Sequence, residues 1–304
     1  MKRWGVVVIL SLCMLIPAAA SAQNNARDGI AAPPGTILSV LYGYHYFGDY
    51  LKADGKTVPM DKVDLQGNYG LWREVFYFQV GSFVANAQFL LPFGNASLDL
   101  NHTSLSTSGI GDPSILTTFW FINRESTKTY LSFTPWFYFP LGNYSNDGLL
   151  TMGANRWRFK EELNFTRGFE AFPDHLAFIE VTAGADFFTA NNDYGPAGGK
   201  LEQDPVYSIE AHLSYDLTRR WWVSADFYQY WGGAKTIDGV GDPGLTRAAQ
   251  QVIGGTVAFN VSRGWQVLFQ YRRDVAIENG VPDQTLLLRL LYATDFNKLV
   301  RQLH

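Results

Sequence analysis

The clearest pattern along the chain is a period of two. Over 206–217 one parity reads Tyr207, Ile209, Ala211, Leu213, Tyr215, Leu217, and the other reads Val206, Ser208, Glu210, His212, Ser214, Asp216. Successive side chains of a strand point to opposite faces, so this segment separates an apolar medium from a polar one. Ile179, Val181, Ala183, Ala185 and Phe187 alternate in the same way with Glu180, Thr182, Gly184 and Asp186. Trp157, Phe159, Leu163 and Phe165 alternate with Arg158, Lys160, Glu162 and Asn164, with Glu161 interrupting the apolar face. A fourth clear case is 253–261, and weaker ones are 38–46, 83–91, 115–122, 130–141, 221–231, 265–273 and 286–296. The least regular is 65–77, where either parity exposes a charge, Arg73 or Glu74. The set predicts about twelve strands of roughly 9–11 residues each, the length of a tilted strand that crosses a bilayer.

The links between these segments alternate in length. Those at 123–127, 218–220 and 262–264 are short, whereas those at 48–61, 92–112, 142–155, 191–204 and 233–246 are long and rich in Gly, Asn and Asp. This alternation predicts an all-β fold, a transmembrane up-and-down antiparallel β-barrel of about twelve strands with short periplasmic turns, in a bacterial outer membrane. Closure follows from hydrocarbon, where each unpaired edge group costs several kcal/mol. A soluble two-sheet sandwich also alternates, burying its apolar faces against each other, but it has no need of strands this long joined by alternately short and long links. Trp221 and Trp265 directly follow short turns and are expected in the inner aromatic girdle; Tyr46, Tyr230 and Trp231 approach long loops and are expected in the outer one. Pro135 falls mid-strand, where a ladder donor is lost, so a bulge or a locally open wall is expected there.

The first residues stand apart. Lys2 and Arg3 precede an apolar stretch, then Pro17 and the small residues up to Ala22, with Ala20-Ser21-Ala22 as a cleavage signature. Residues 1–22 are read as a secretory signal peptide. Residues 23–35 are read as a short N-terminal periplasmic segment, too short for a folded hatch although a tail entering the lumen is left open; 36–296 form the barrel and 297–304 a short C-terminal tail. The one cysteine, Cys13, lies in the leader, which excludes disulfides, thiolate zinc sites and a cysteine nucleophile from the mature chain. With 47% apolar, 15% aromatic and 17% charged residues and a net charge of −4, the chain has neither the composition of a disordered protein nor that of a basic nucleic-acid binder.

The polar parity of a barrel faces its lumen. On it lie Trp136, Tyr138, Arg156, Arg158, Lys160, Glu162, Glu180, Asp186, Glu210, His212, Asp226, Arg272 and Arg289, together with Glu74, Asn86, Gln88 and Gln270. The basic row Arg156, Arg158, Lys160 is expected to face the acidic residues of the next three strands, either lining a path for substrate or filling a narrow interior as a structural network. Trp136, Tyr138, Trp222 and Tyr228 can stack on a flat molecule or act as filler. The five histidines are too dispersed for a metal cluster, and no cofactor or metal is implied. His102 and Ser104, the one close pair of the kind a lipid-modifying barrel enzyme would use, fall in a Ser/Thr-rich loop with no acid clearly paired to them, so no catalytic residue is assigned.

Several landmarks occur in sequence: Gly109-Ile110-Gly111-Asp112-Pro113, then 139–144 (FPLGNY), Gly153-Ala154-Asn155-Arg156-Trp157, 207–212 (YSIEAH) and 270–273 (QYRR). By these the chain resembles the meta-pathway phenol degradation family of outer-membrane transporter-like β-barrels. The resemblance implies a barrel that passes small hydrophobic or aromatic molecules across the outer membrane. The partners expected are that small molecule, outer-membrane lipids and the barrel assembly machinery, with no nucleic acid. A passive uptake channel is the expected function; an outer-membrane lipid-modifying enzyme and a structural barrel with a closed lumen are the alternatives.

Overall fold

The computed structural model describes residues 24–146, 150–241 and 250–296; the expected leader and the C-terminal tail lie outside the described residues. Twelve long strands form the wall. They are β1 (Thr36–Gly48), β2 (Val63–Val80), β3 (Phe83–Leu100), β4 (Ser114–Arg124), β5 (Thr129–Tyr138), β6 (Arg158–Phe172), β7 (His175–Phe188), β8 (Val206–Asp216), β9 (Trp221–Gly232), β10 (Gln250–Asn260), β11 (Trp265–Ala276) and β12 (Gln284–Asp295). Each pairs antiparallel with its neighbours in sequence, and β1 pairs with both β2 and β12, in a register running from Thr36↔Asp295 to Phe47↔Gln284. The sheet therefore closes on itself, and no strand edge of the cylinder is left to the hydrocarbon.

Short turns gather at one end. They include Gly81 and Asp174 in the left-handed region, and one turn of 3-10 helix, Glu125–Thr127, closed by Lys128 at φ 49. Long links gather at the other end. The lipid face carries the apolar parity: Leu163, Ile209, Leu213, Phe269 and Leu288 are all exposed. At the short-turn end Trp221 packs on Phe259 with ring centroids 4.4 Å apart and Trp265 on Tyr292 at 4.7 Å, the expected inner girdle.

Four local expectations need correction. Tyr46 and Tyr230 do not reach the outer girdle, because both fall on the inward parity: Tyr46 is buried and stacks on Tyr69, whereas the exposed Trp231 sits against Tyr207. Glu74 points outward, between the exposed Trp72 and Phe76, where it accepts from Trp72 Nε1 at 2.7 Å and Ser39 Oγ at 2.8 Å; Arg73 takes the inward place. Residues 92–112 are not a loop. Leu98 and Leu100 pair with Leu65 and Val63 and bury their side chains inward, so β2 and β3 keep pairing past the other strands before turning into the strand Thr103–Ile110. Finally, 24–29 do not lie outside the barrel but run up inside it, because their backbone N–H groups and charged side chains find partners on the lumen wall.

Near Pro135 the β5–β6 ladder continues through Pro135↔Glu161, while the β4–β5 register passes from Leu116↔Trp136 to Phe119↔Phe133. The gap is bridged on the lumen side by Thr134 Oγ1 donating to Thr118 Oγ1 at 3.0 Å. The proline thus interrupts one ladder, and inward-facing hydroxyls hold the two strands together across the interruption.

Candidate functional site

All thirteen lumen residues named from the sequence lie on inward parities, buried or half-buried, but they divide by position around the cylinder. The strands β6 to β9 carry a charged wall. Arg158 Nε lies 2.6 Å from Asp186 Oδ1, with the guanidinium carbon 4.5 Å from the centre of the Tyr138 ring. Lys160 Nζ lies 2.6 Å from Glu162 and 4.0 Å from Glu210, and Trp136 Nε1 donates to Glu162 at 2.8 Å. Asp226 collects four donors, from His212 Nδ1 at 2.8 Å, Ser224 Oγ at 2.8 Å, Thr256 Oγ1 at 2.7 Å and Gln270 Nε2 at 2.8 Å. Buried charges persist only when paired and hydrogen-bonded, and cross-strand pairing supplies this network. Higher up, the Arg156 guanidinium lies 4.5 Å from the Phe188 ring centre and donates to Gln203; Arg272 lies between Tyr44 and Tyr228, at 5.9 and 5.7 Å.

The opposite wall is apolar. The inward row of β2 reads Val63, Leu65, Gly67, Tyr69, Leu71, Arg73, Val75, Tyr77, with one charge in eight positions. Leu90 and Leu116 on β3 and β4, and Val40, Tyr42 and Leu287 on β1 and β12, extend this surface. The polar-lumen expectation therefore fails along β1 and β2, whereas Gln88, Thr118, Thr134, Thr256, Gln270 and Thr285 keep the inward rows of β3 to β5 and β10 to β12 partly polar. The irregular 65–77 pattern reflects a strand whose inward row is mostly apolar and whose outward row mixes Trp72 and Phe76 with Gln66, Asn68 and Glu74, so a parity rule cannot orient it.

The outer mouth is closed by grease. Leu150 and Met152, from the link between β5 and β6, join Tyr46, Leu65, Tyr69, Leu98 and Val281 in one buried cluster. The glycine-rich landmarks build the base of that link. Asp112 accepts the Gly142 N–H on Oδ1 and the Ala154 N–H on Oδ2, both at 2.9 Å. Burial pushes the Asp112 carboxyl above the ordinary carboxylate range, with the two N–H donors pulling the other way. Gly142 and Gly153 touch backbone to backbone: a Cβ on Gly153 would come within 2.7 Å of the Gly142 carbonyl carbon. Gly109, at φ 136, leaves room for the Asn143 side chain, which accepts from the Ile110 N–H at 2.7 Å.

The N-terminal tail fills the remaining lumen. Asn24 donates its backbone N–H to Glu210 Oε2 at 3.0 Å and its side-chain amide to Glu162 Oε1 at 3.2 Å. The Arg27 N–H donates to Glu180, and the Arg27 side chain meets Asp216 at 2.7 Å. Asp28 meets Arg289 at 2.9 Å and Arg73 at 3.5 Å, and the Gly29 carbonyl accepts from Trp120 Nε1 at 2.9 Å. About 30 Å³ of cavity remains beside the tail. That holds a water or two, whereas a benzene-sized guest needs on the order of 150 Å³. Asn24, Arg27, Asp28 and Arg73 are the site residues that periodicity missed. The tail has no period to read; its one signal is the charged pair Arg27-Asp28 set among small residues ahead of the first strand.

His102 and Ser104 lie at the tip of the hairpin beyond β3, both exposed, with Asp99 paired opposite Ser104.

Comparison with known proteins agrees with this architecture. Residues 48–290 match the family described as "Putative MetA-pathway of phenol degradation". The crystal structure of an outer membrane channel from Pseudomonas putida F1 is similar, with 25% identity and a TM-score of 0.83, covering 90% of this chain and 100% of that one. The transport unit of the autotransporter AIDA-I from Escherichia coli shares the fold at 8% identity and a TM-score of 0.54, covering 92% of this chain and 95% of that one. No curated protein sequence matches the chain. With the family model spanning most of the barrel and a closed wall of the outer-membrane kind, this chain belongs to the phenol degradation family and is an outer-membrane β-barrel.

Proposed function

We propose that this chain is a passive outer-membrane channel for small hydrophobic or aromatic molecules, held closed by its own N-terminal tail. The observation that carries this reading is the asymmetry of the lumen. A solute entering through the apolar outer cluster meets a continuous apolar row down β2, whose single charge, Arg73, is engaged by Asp28 of the tail. The family membership and the similarity to a channel support the same reading. Trp136 and Tyr138, stacked at 5.8 Å and 7°, offer a flat face beside this track. Lys160, Glu162, Glu180, Asp186, Glu210, His212 and Asp226 then serve as the wall on which the tail seats, with Arg156, Arg158, Arg272 and Arg289 completing the lining. Lipids around the wall and the assembly machinery are its remaining partners in this reading. Its test is flux of phenol or toluene into liposomes, for the intact chain and for a double variant, Arg27→Ala with Asp28→Ala. Faster flux in the variant supports the channel; no flux of any aromatic solute through either would rule it out.

A further inference from the structure

The Arg27 side chain sits in a cage of aromatic and polar groups from the wall. Its guanidinium carbon lies 4.7 Å from the centre of the Trp222 ring and 5.0 Å from that of Phe178. Around the group's edge, Nε donates to Ser214 Oγ at 3.1 Å and Nη2 lies 2.7 Å from Asp216 Oδ1. Aromatic faces attract a cation through the ring quadrupole, and a hydroxyl and a carboxylate at its rim read its planar donors. This combination matches a guanidinium better than it matches a round ammonium.

The wall supplies every part of this cage. Phe178 stands opposite Ser214 across β7 and β8, and Asp216 opposite Trp222 across β8 and β9. The second Asp216 oxygen accepts from the Leu176 N–H at 3.4 Å, which orients the first toward the lumen. Phe178, Ser214 and Trp222 are buried. Strand pairing holds the backbone that carries the cage, and Trp222 packs beside Ala26 of the tail. The tail, in contrast, is bent to reach it: Arg27 takes φ 73, in the left-handed region that disfavours a residue with a Cβ.

We infer that the cage of Phe178, Trp222, Ser214 and Asp216 binds free planar organic cations, alkylguanidines and arylamidines, and that Arg27 is a tethered version of that ligand. The inference rests on the reading of the tail as the plug, since such a cation then competes with the tail for its seat. The cage lies near the short-turn end, beside the turn at 217–220, so the ligand reaches it from the periplasmic side.

Benzamidine binding to the full chain in detergent micelles, followed by isothermal titration, tests this. Wild type is compared with Arg27→Ala and with Arg27→Ala combined with Trp222→Leu. A tethered competitor lowers the free fraction of the site, so Arg27→Ala is expected to bind at least about tenfold more tightly than wild type. The added Trp222→Leu, or Phe178→Leu in its place should the tryptophan variant not fold, is expected to abolish that gain. Butylamine, which carries the same charge without the plane, is expected to bind more weakly than benzamidine. Equal binding by wild type and Arg27→Ala, no binding by Arg27→Ala, or equal binding of butylamine would overturn the cage. Tight binding to Arg27→Ala with no aromatic flux through any form would leave the cage standing and remove the channel reading instead.

Discussion

Asp28 and Arg289 stand 261 positions apart in the chain and meet at 2.9 Å inside the barrel. The other Asp28 oxygen faces Arg73, which in turn donates to Tyr42 Oη at 3.1 Å. One carboxylate from the tail thus links β2 and β12 across β1, over the seam where the first and last strands close the cylinder.

That clamp predicts the effect of removing its acid. Asp28→Ala leaves the buried Arg289 and the half-buried Arg73 without their counter-charge, with only neutral partners in Gln266, Gln88 and Tyr42, and breaking a buried pair from one side costs about 3–5 kcal/mol. The loss falls on tail docking, because the strand ladders remain. Planar-bilayer recordings are expected to show larger or more frequent openings than wild type; an unchanged conductance would sink the clamp.

Asp226 predicts a different outcome. Four side chains donate to it, and each buried donor left without a partner costs about 1–3 kcal/mol. Asp226→Ala is expected to lower the urea midpoint of the barrel, read by tryptophan fluorescence. His212→Ala, which removes one donor and leaves three, is expected to lower it less.

The glycines of the outer link allow a paired test. Gly153→Ala drives a Cβ into the Gly142 backbone, whereas a Cβ at the lipid-facing Gly43 meets nothing within 4 Å. Gly153→Ala is expected to lower the temperature at which the folded form loses its faster gel mobility, and Gly43→Ala to leave it unchanged. Asp112→Ala is expected to act as Gly153→Ala does, by releasing the Gly142 and Ala154 N–H groups.

The parity of β2 is open to a direct check. Glu74 faces acyl chains and Arg73 the tail, so Glu74→Leu is expected to preserve conductance and Arg73→Leu to raise it. A rise with Glu74→Leu instead would place the strand in the opposite register. Charge on a lipid face is destabilising, less so for Glu than for Arg or Lys, so Glu74→Leu is also expected to hold or raise the urea midpoint.

Much of this protein is legible without coordinates. Where one face of a strand meets lipid and the other a charged interior, as in β6 to β9, two-residue alternation names the inward residues one by one, from Arg158 to Asp226. The rule loses its grip where the inward row is apolar and the outward row carries polar residues. In β2 the lumen side is itself greasy, so the placement of Arg73 and Glu74 could not be read from their order. It fails also at Tyr46, whose aromatic ring fits a girdle or a buried cluster equally well until parity is known.

Alternation, strand length and the rhythm of short and long links therefore determined the closed wall and which residues of its charged strands look inward, because the bilayer imposes one solvent on each face. Tertiary structure alone decided what fills the cylinder. Asn24, Arg27 and Asp28 lie in a segment without period, and their partners include Glu210, Asp216 and Arg289, more than 180 positions away. Contacts between a single irregular strand of chain and a wall assembled from distant segments leave no local pattern, since what selects them is the geometry of closure.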